Sequence, residues 1–415
     1  MRRRVRLPDA WPLPDPATAY YHGLMDRVLT GLDLLLDDPA PIGRRSWALL
    51  TNGAAVSADL TPGRLALSRV AGGLSLLFAP EHGLEGVAQD MEAVGDGIDP
   101  LTGVRVRSLY GTSAATLEPT VEDLHGLGAV VIDLPDIGTR YYTFAATMDA
   151  MMAACERAGV GVIVLDRPNP IGGTQREGGL VRAGFESFVG RIPTPARHGL
   201  TLGEIALLLQ RERYSDLELT VVPCRGWHRR RWLDETGLPW VAPSPNMPTL
   251  ETAALYPGMC LVEATNLSEG RGTTRPFKLI GAPWLDGAGL AGELRGRKVP
   301  GIAVRPAWFR PAFGKHAGKV CGGVELVVTD RQAFRPVACG VMLLWLMRRM
   351  HPEHFEWRSE GYEFVDGLPA IDLLTGDERV RRTIQVGGDV LEVIERWDRD
   401  VRRFEEHLAG ILLYR

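Results

Sequence analysis

The chain has 415 residues, 45% of them hydrophobic and 24% charged, the balance of a soluble globular protein with room for two or three domains of ~100–200 residues. That composition excludes disordered, collagen-like and low-complexity chains. The formal net charge of −4 gives no electrostatic reason to expect a nucleic-acid partner, whereas a few local arginines would suffice for an acidic or sugar substrate.

The start, MRRRVRLPDAWPLPDP, has a basic tip with no apolar stretch behind it. It does not read as a secretory signal, and the expected compartment is the cytoplasm. A helix is expected over about 17–37. Short, mostly non-alternating apolar runs follow at 47–52, 74–80, 104–110, 129–135 and 161–168, as expected of strands covered on both faces. Helical spacing at 60–73 and 144–160 separates them, with Gly159 near the end of the second helix. This alternation predicts an α/β fold with a Rossmann-like, doubly wound parallel sheet. Thr201 and Glu204 have capping-box spacing at the head of a helix over 201–214. The domain boundary is placed there, giving a catalytic domain over 17–213 and a smaller α+β domain over 214–415 that closes the cleft. In the second part, strands are expected at 217–223, 259–264, 301–309 and 321–330, and helices at 331–350 and 387–408. Loops rich in Pro and Gly are expected at 239–258 and 265–287. The longest apolar run, 337–347, is shorter than the ~20 residues that span a bilayer, and reads as a buried helix.

The 5 cysteines include no CxxC pair, which argues against a disulfide framework and a cysteine zinc site. Cys155 and Cys339 read as small core residues. No HExxH occurs, and His351 and His354 follow a helix end, so no metal is expected. No GxGxxG follows a first-half strand and no GxSxG occurs, so neither a dinucleotide cofactor nor a serine-hydrolase elbow is expected.

Each first-half strand ends in polar residues, and open α/β sheets bind ligands at those carboxyl ends. The ends carry Asn52, then Glu81 and His82, then Tyr110, then Asp136, Arg140 and Tyr142, then Asp166 and Asn169. Taken singly, each reads better as a turn or cap residue; their joint occurrence points to one cleft. Glu81 follows an apolar strand and Pro80, a partly desolvated place that suits a general acid. The competing reading is a charge at a helix N-terminus. His82 either orients Glu81 or touches substrate. Arg140 either grips a carboxylate through paired hydrogen bonds or braces Asp136. Tyr142 offers a ring for a sugar face. A further cluster contains Asn246, Glu263, Asn266, Glu269 and Arg271.

The segments PEHG (80–83), SLYG (108–111), DLPDIGTRYYTF (133–144), DRPNPIGG (166–173), PTPARHGLTLGE (193–204), PSPNMPT (243–249), EATNLSEGRGTTRPF (263–277) and CGGVELVVTD (321–330) resemble the bacterial exo-β-N-acetylmuramidase family. The resemblance runs from about residue 30 to the closing ILLYR. It implies a Rossmann-like domain and an auxiliary domain with the active site between them, and hydrolytic release of N-acetylmuramic acid from the non-reducing end of peptidoglycan fragments. Such a site needs an acid, for which Glu81 is the candidate. It needs polar partners for the sugar, from Asn52, Asp166, Asn169, His198 and Asn266. It also needs a cation for the lactyl carboxylate, from Arg140, Arg197 or Arg271. Asp136, Glu269 and Glu263 compete as the second carboxyl. Tyr110 or Tyr142 as nucleophile, or assistance by the substrate's acetamido group, are the alternatives. A non-catalytic sugar-binding protein is the competing function. The arginine-rich run Trp227–Trp232 reads as a solvated loop rather than a polymer-binding patch.

Overall fold

The computed structural model describes residues 27–43 and 45–415. Of the helix expected over 17–37, the part up to residue 26 lies outside the described residues, as does the basic tip; Gly31–Asp37 (α1) is helical, with a Thr30–Asp33 capping box.

Seven strands form the large sheet: β1 (Trp47–Thr51), β2 (Leu74–Ala79), β3 (Gly97–Ile98), β4 (Arg105–Ser108), β5 (Ala129–Asp133), β6 (Gly161–Leu165) and β7 (Leu219–Val222), in the order β3-β4-β2-β1-β5-β6-β7. Every pairing is parallel except that of the short edge strand β3. Successive residues of the central strands face opposite sides. Ala48, Leu50, Val130 and Ile132 enter one core with α4 (Phe144–Ala158) and α5 (Leu202–Glu212), while Trp47, Leu49, Ala129 and Val131 enter another with α1 and α2 (Gly63–Val70). Burial on both faces explains why these runs are continuously apolar. The helix ends follow the sequence signals. Gly159 is left-handed at φ +66° and caps α4, and Thr201 and Glu204 close the capping box of α5. A short helix, α3 (Val121–Leu124), precedes β5.

The run at 217–223, assigned from sequence to the second part, is β7 and extends the large sheet beside β6. Beyond it, α6 (Leu250–Met259) begins under a Thr249 cap inside the stretch read as a loop. The run at 259–264, expected as a strand, ends this helix and continues as a 3-10 turn over Cys260–Ala264. An apolar run of that length does not distinguish strand from buried helix. A three-stranded antiparallel sheet follows, with order β8-β10-β9, from β8 (Leu279–Ala282), β9 (Ile302–Phe309) and β10 (Cys321–Val328). It packs on α7 (Gly287–Gly296). The apolar run at 337–347 is the buried core of α8 (Pro336–Met350). α9 (Ala370–Thr375), α10 (Arg379–Gln385) and α11 (Val390–Glu406) complete the second part. The free cysteines, Cys155 and Cys339 among them, are all buried. Among the described residues no helix is long and apolar enough to cross a membrane.

α6 and α8 cross where two glycines meet. A Cβ at Gly258 would lie 1.8 Å from the Pro336 carbonyl oxygen, and one at Gly340 would lie 2.3 Å from that of Gly258. Both contacts are with backbone, which cannot yield as a flexible side chain can. Gly340→Ala is therefore expected to lower stability by about 1–3 kcal/mol, the usual cost of overpacking, read as a lower urea midpoint at unchanged slope.

Candidate active site

Glu81 follows β2 and Pro80 and is only 3% exposed. One carboxylate oxygen accepts the Thr143 hydroxyl at 2.6 Å, and the other accepts the Met91 backbone N–H at 3.1 Å. Thr143 immediately precedes α4, whereas no helix begins at Glu81 itself, where the chain enters a run of turns. The chain turns sharply beyond it, with His82 at φ +70° and Gly83 at φ +78°. His82 Nδ1 lies 3.0 Å from the Ala88 carbonyl oxygen, a contact that needs the proton on Nδ1.

These residues line a cavity of about 390 Å3 of atom-free space between the two halves. The first half contributes Glu81, His82, Asp90, Tyr142 and Thr143. The second contributes Ser244, Asn246, Tyr256, Glu263, Arg271, Phe277, Tyr362 and Glu363. The Asn246 side-chain amide donates to Gln89 Oε1 at 2.8 Å. The Tyr142, Tyr256 and Phe277 rings pack edge to face, with Tyr142–Tyr256 centroids 6.1 Å apart and Tyr256–Phe277 centroids 4.7 Å apart. They give the cavity an aromatic wall.

Glu363 is among the residues that sequence reasoning missed, with Asp90, Tyr256 and Tyr362. It sits on a two-residue turn closed by reciprocal backbone hydrogen bonds between Tyr362 and Val365, at 3.1 and 3.0 Å. Glu363 at φ +47° and Phe364 at φ +63° occupy its centre. Such turns favour Asn-Gly, so Glu-Phe carries no turn signal. The turn reaches across to the first half, where the Tyr110 hydroxyl donates to Glu363 Oε2 at 2.9 Å and the Tyr110 ring packs on Phe364 with centroids 5.3 Å apart. Burial raises the Glu363 carboxyl well above the ordinary range, and the Glu81 charge raises it further, against the Tyr110 hydrogen bond. Burial, then the charges of Glu81 and Glu363, push the Tyr110 hydroxyl up as well.

Arg271 is the guanidinium of the cavity. It lies 2.8 Å from Asp90 and 2.7 Å from Glu263, with Glu269 at 3.5 Å. Burial opposes its charge, but the charges of Glu263, Asp90 and Glu269 hold it well above the ordinary arginine value. Glu263 also accepts the Tyr362 hydroxyl at 2.7 Å. Glu269 is held by Lys315 at 3.1 Å and stands behind Arg271.

Other expected site residues serve the scaffold. Arg140 is buried and donates to the carbonyls of Gly179, Thr194 and Leu374 at 2.6, 2.8 and 2.7 Å, so it braces the two halves rather than gripping a carboxylate or Asp136. Burial pulls its guanidinium down to about 10. Arg197 donates to Gln175 at 2.5 Å and to the Ile171 carbonyl at 2.9 Å. Asp166 accepts from Thr201 at 2.7 Å, Gly203 N–H at 2.8 Å and Tyr414 at 2.5 Å, and burial pushes it up to about 6. Asn169 bonds Leu200 and Ile171 at 2.9 and 3.1 Å. Asn52 donates to the Pro243 carbonyl at 3.2 Å. Asn266 bonds the backbone of His354 and Glu356 at 2.7 and 3.2 Å. Asp136 and His198 face each other at 3.2 Å, and Asp136 lines a different cavity. In the arginine-rich run, Arg229 is buried against Glu204 and the carbonyls of Gly173 and Gly199, which makes that part of it structural. Among the described residues no group of three or more His, Cys, Asp or Glu side chains is arranged to hold a metal ion.

The raised Glu363 carboxyl has a consequence for stability. Above the unfolded value of about 4.3 the unfolded chain has released this proton while the folded chain still holds it. Its contribution is therefore complete below that value and is lost as pH rises toward the folded value. Replacing Glu363 with Gln keeps the acceptor oxygen and removes the titration. Urea midpoints measured across this window should fall with pH more steeply in the wild type than in Glu363→Gln.

Comparison with known proteins places this geometry in a family. Residues 47–251 match the N-terminal domain model of exo-beta-N-acetylmuramidase NamZ, and residues 254–414 match the C-terminal one. The peptidoglycan beta-N-acetylmuramidase NamZ of Bacillus subtilis (strain 168) is 40% identical over 390 residues, covering 94% of this chain and 92% of that protein. Two crystal structures of DUF1343 family proteins from Bacteroides fragilis NCTC 9343 share the fold. One has a TM-score of 0.84 at 31% identity, covering 94% of this chain and all of that one. The other has a TM-score of 0.70 at 27% identity, covering 94% of this chain and 99% of that one. With both domain models matched in order and a close relative aligned over nearly its whole length, the chain belongs to the exo-beta-N-acetylmuramidase NamZ family.

Proposed function

We propose that the protein is an exo-acting glycosidase that releases N-acetylmuramic acid from the non-reducing end of peptidoglycan fragments, in cell-wall turnover and recycling. The observation that carries this reading is a pair of carboxyls, Glu81 and Glu363, on one cavity in unequal surroundings. Glycoside cleavage uses such a pair, and different environments divide their roles. Glu363, favoured in its neutral form by burial and by the Glu81 charge, is the proton donor to the leaving oxygen. Glu81, held by Thr143 and the Met91 N–H, is the carboxylate that supports the anomeric centre or its attacking water. Tyr110 acts through its hydrogen bond to Glu363 and is a positioning residue.

The aromatic wall of Tyr142, Tyr256 and Phe277 suits the apolar face of a hexose. His82 and Asn246 supply polar contacts at its rim. Of the three arginines considered for the lactyl carboxylate, Arg271 alone lines this cavity, and we assign it that contact. The five free, buried cysteines are in keeping with a cytoplasmic setting.

Release of N-acetylmuramic acid from a chromogenic muramide tests the assignment. Glu81→Gln and Glu363→Gln are each expected to lower kcat by about 10²–10⁴-fold with the circular dichroism spectrum unchanged. Tyr110→Phe should lower it less and move the alkaline limb of the pH profile to higher pH, because the lost hydrogen bond favours the charged form of Glu363. Saturable binding of N-acetylmuramic acid by the wild type without any product would assign a sugar-binding protein instead.

A further inference from the structure

Between β2 and β3 the chain crosses the cleft as a strap, residues 87–91, and four consecutive residues tie it there. The Ala88 carbonyl oxygen lies 3.0 Å from His82 Nδ1, Gln89 Oε1 accepts the Asn246 amide at 2.8 Å, Asp90 pairs with Arg271 at 2.8 Å, and the Met91 N–H donates to Glu81 at 3.1 Å. The contacts of Gln89 and Asp90 reach the second half of the molecule. Val87 and Met91, the large apolar side chains of the strap, are both exposed, so polar contacts rather than apolar burial hold it in place.

Asp90 is the loosely held partner of Arg271. Its side chain is 28% exposed, whereas those of Glu263 and Glu269, the other carboxylates on this guanidinium, are 7% and 5% exposed. Glu263 is also held by the Tyr362 hydroxyl and Glu269 by Lys315. Among the described residues Asp90 has no hydrogen bond or ion pair beyond Arg271. An ion pair open to solvent contributes little, because its carboxylate is readily rehydrated, whereas breaking a buried pair strands a charge. Of the three carboxylates, Asp90 is the one that can leave.

Charge gives a reason for it to do so. The cavity lining carries the carboxyls of Glu81, Asp90, Glu263 and Glu363, and Arg271 as its one arginine or lysine. A sugar carboxylate added to this set would meet a guanidinium already surrounded by three acids. Exchange with Asp90 leaves their number unchanged. We infer that Asp90 is a built-in stand-in for the carboxylate of an acidic sugar, which takes its place on Arg271 while Asp90 swings out to water with the strap. The inference rests on the assignment of Arg271 to the lactyl carboxylate, and it makes Asp90 a specificity-determining residue. A neutral sugar of the same shape either meets Asp90 in place or displaces it and leaves Arg271 short of a partner, so the cleft selects the acid. The Asp90 charge also helps to raise Glu363, and a substrate carboxylate in its place preserves that effect.

Calorimetry on the full chain, with N-acetylmuramic acid and its neutral lactyl methyl ester as probes, tests this. Asp90→Asn, which keeps the shape and removes the competing charge, is expected to bind the acid about tenfold tighter than the wild type does, and the ester with unchanged affinity. Hydrogen exchange on the unaltered chain gives a second reading that needs no variant: the amides of residues 87–91 should exchange faster with the acid bound than with the ester bound. Equal or weaker binding of the acid by folded Asp90→Asn, an equal gain for the ester, no binding at millimolar sugar, or strap amides that the acid does not loosen would each overturn the inference. Failure of the muramidase reading shows separately, as tighter binding of the acid by Asp90→Asn with no release of N-acetylmuramic acid from a chromogenic muramide by the wild type.

Discussion

The Tyr110 hydroxyl meets the Glu363 carboxyl 2.9 Å away, across the line between the two halves of the molecule. Neither group belongs in a buried place unless the other is there. A lone carboxylate loses its hydration, and a lone phenol loses its partner. Their meeting seats the turn of Tyr362–Val365 against the first half and brings a second carboxyl to the cavity that Glu81 already lines. Burial and the Glu81 charge then favour the neutral acid. Shape and protonation are thus linked: the contact that closes the cleft also buries the carboxyl, and burial outweighs the opposing pull of the Tyr110 hydrogen bond.

Charge within the cleft is distributed unevenly. Arg271 is shared by Asp90, Glu263 and Glu269, while Glu81 and Glu363 have only hydrogen-bond donors as partners. Backbone strain gathers at the same place. His82, Met91, Phe277, Glu363 and Phe364 all have positive φ. Conformations of this kind cost of order 1–3 kcal/mol each and persist where the surrounding structure enforces them, commonly at working sites. Here the enforcement is visible: Met91 gives its N–H to Glu81, and the arginine of the cleft lies over the Phe277 ring at 5.1 Å.

The buried arginines outside the cleft have another use. Arg140, Arg197 and Arg229 spend their donors on carbonyls and side chains of loops that are distant in sequence. A planar group with five donors can tie several loop backbones at once. This leaves the irregular segments between strands and helices with their polar groups satisfied, and it fixes the positions from which the cleft is built.

Five inner strands of the large sheet were legible in the sequence, because strands buried on both faces must be continuously apolar and crossover helices need caps; Gly159, Thr201 and Glu204 appear where those rules put them. The sequence determined the family as well, since the linked motifs survive in order, and it singled out Glu81, which follows an apolar strand. Packing between distant segments set what remained. Leu219–Val222 joined the first sheet because strand order depends on packing and leaves no local mark. Cys260–Ala264 became a turn after a helix because an apolar run is silent about its period. Arg140 and Asp136 carry the same side chains as true ligand-binding residues, and only their surroundings show one as a brace and the other on a neighbouring cavity. Glu363 lies more than 280 residues from Glu81 on a turn whose residues do not announce it. No local pattern encodes a meeting that arises only when two folded halves close on each other.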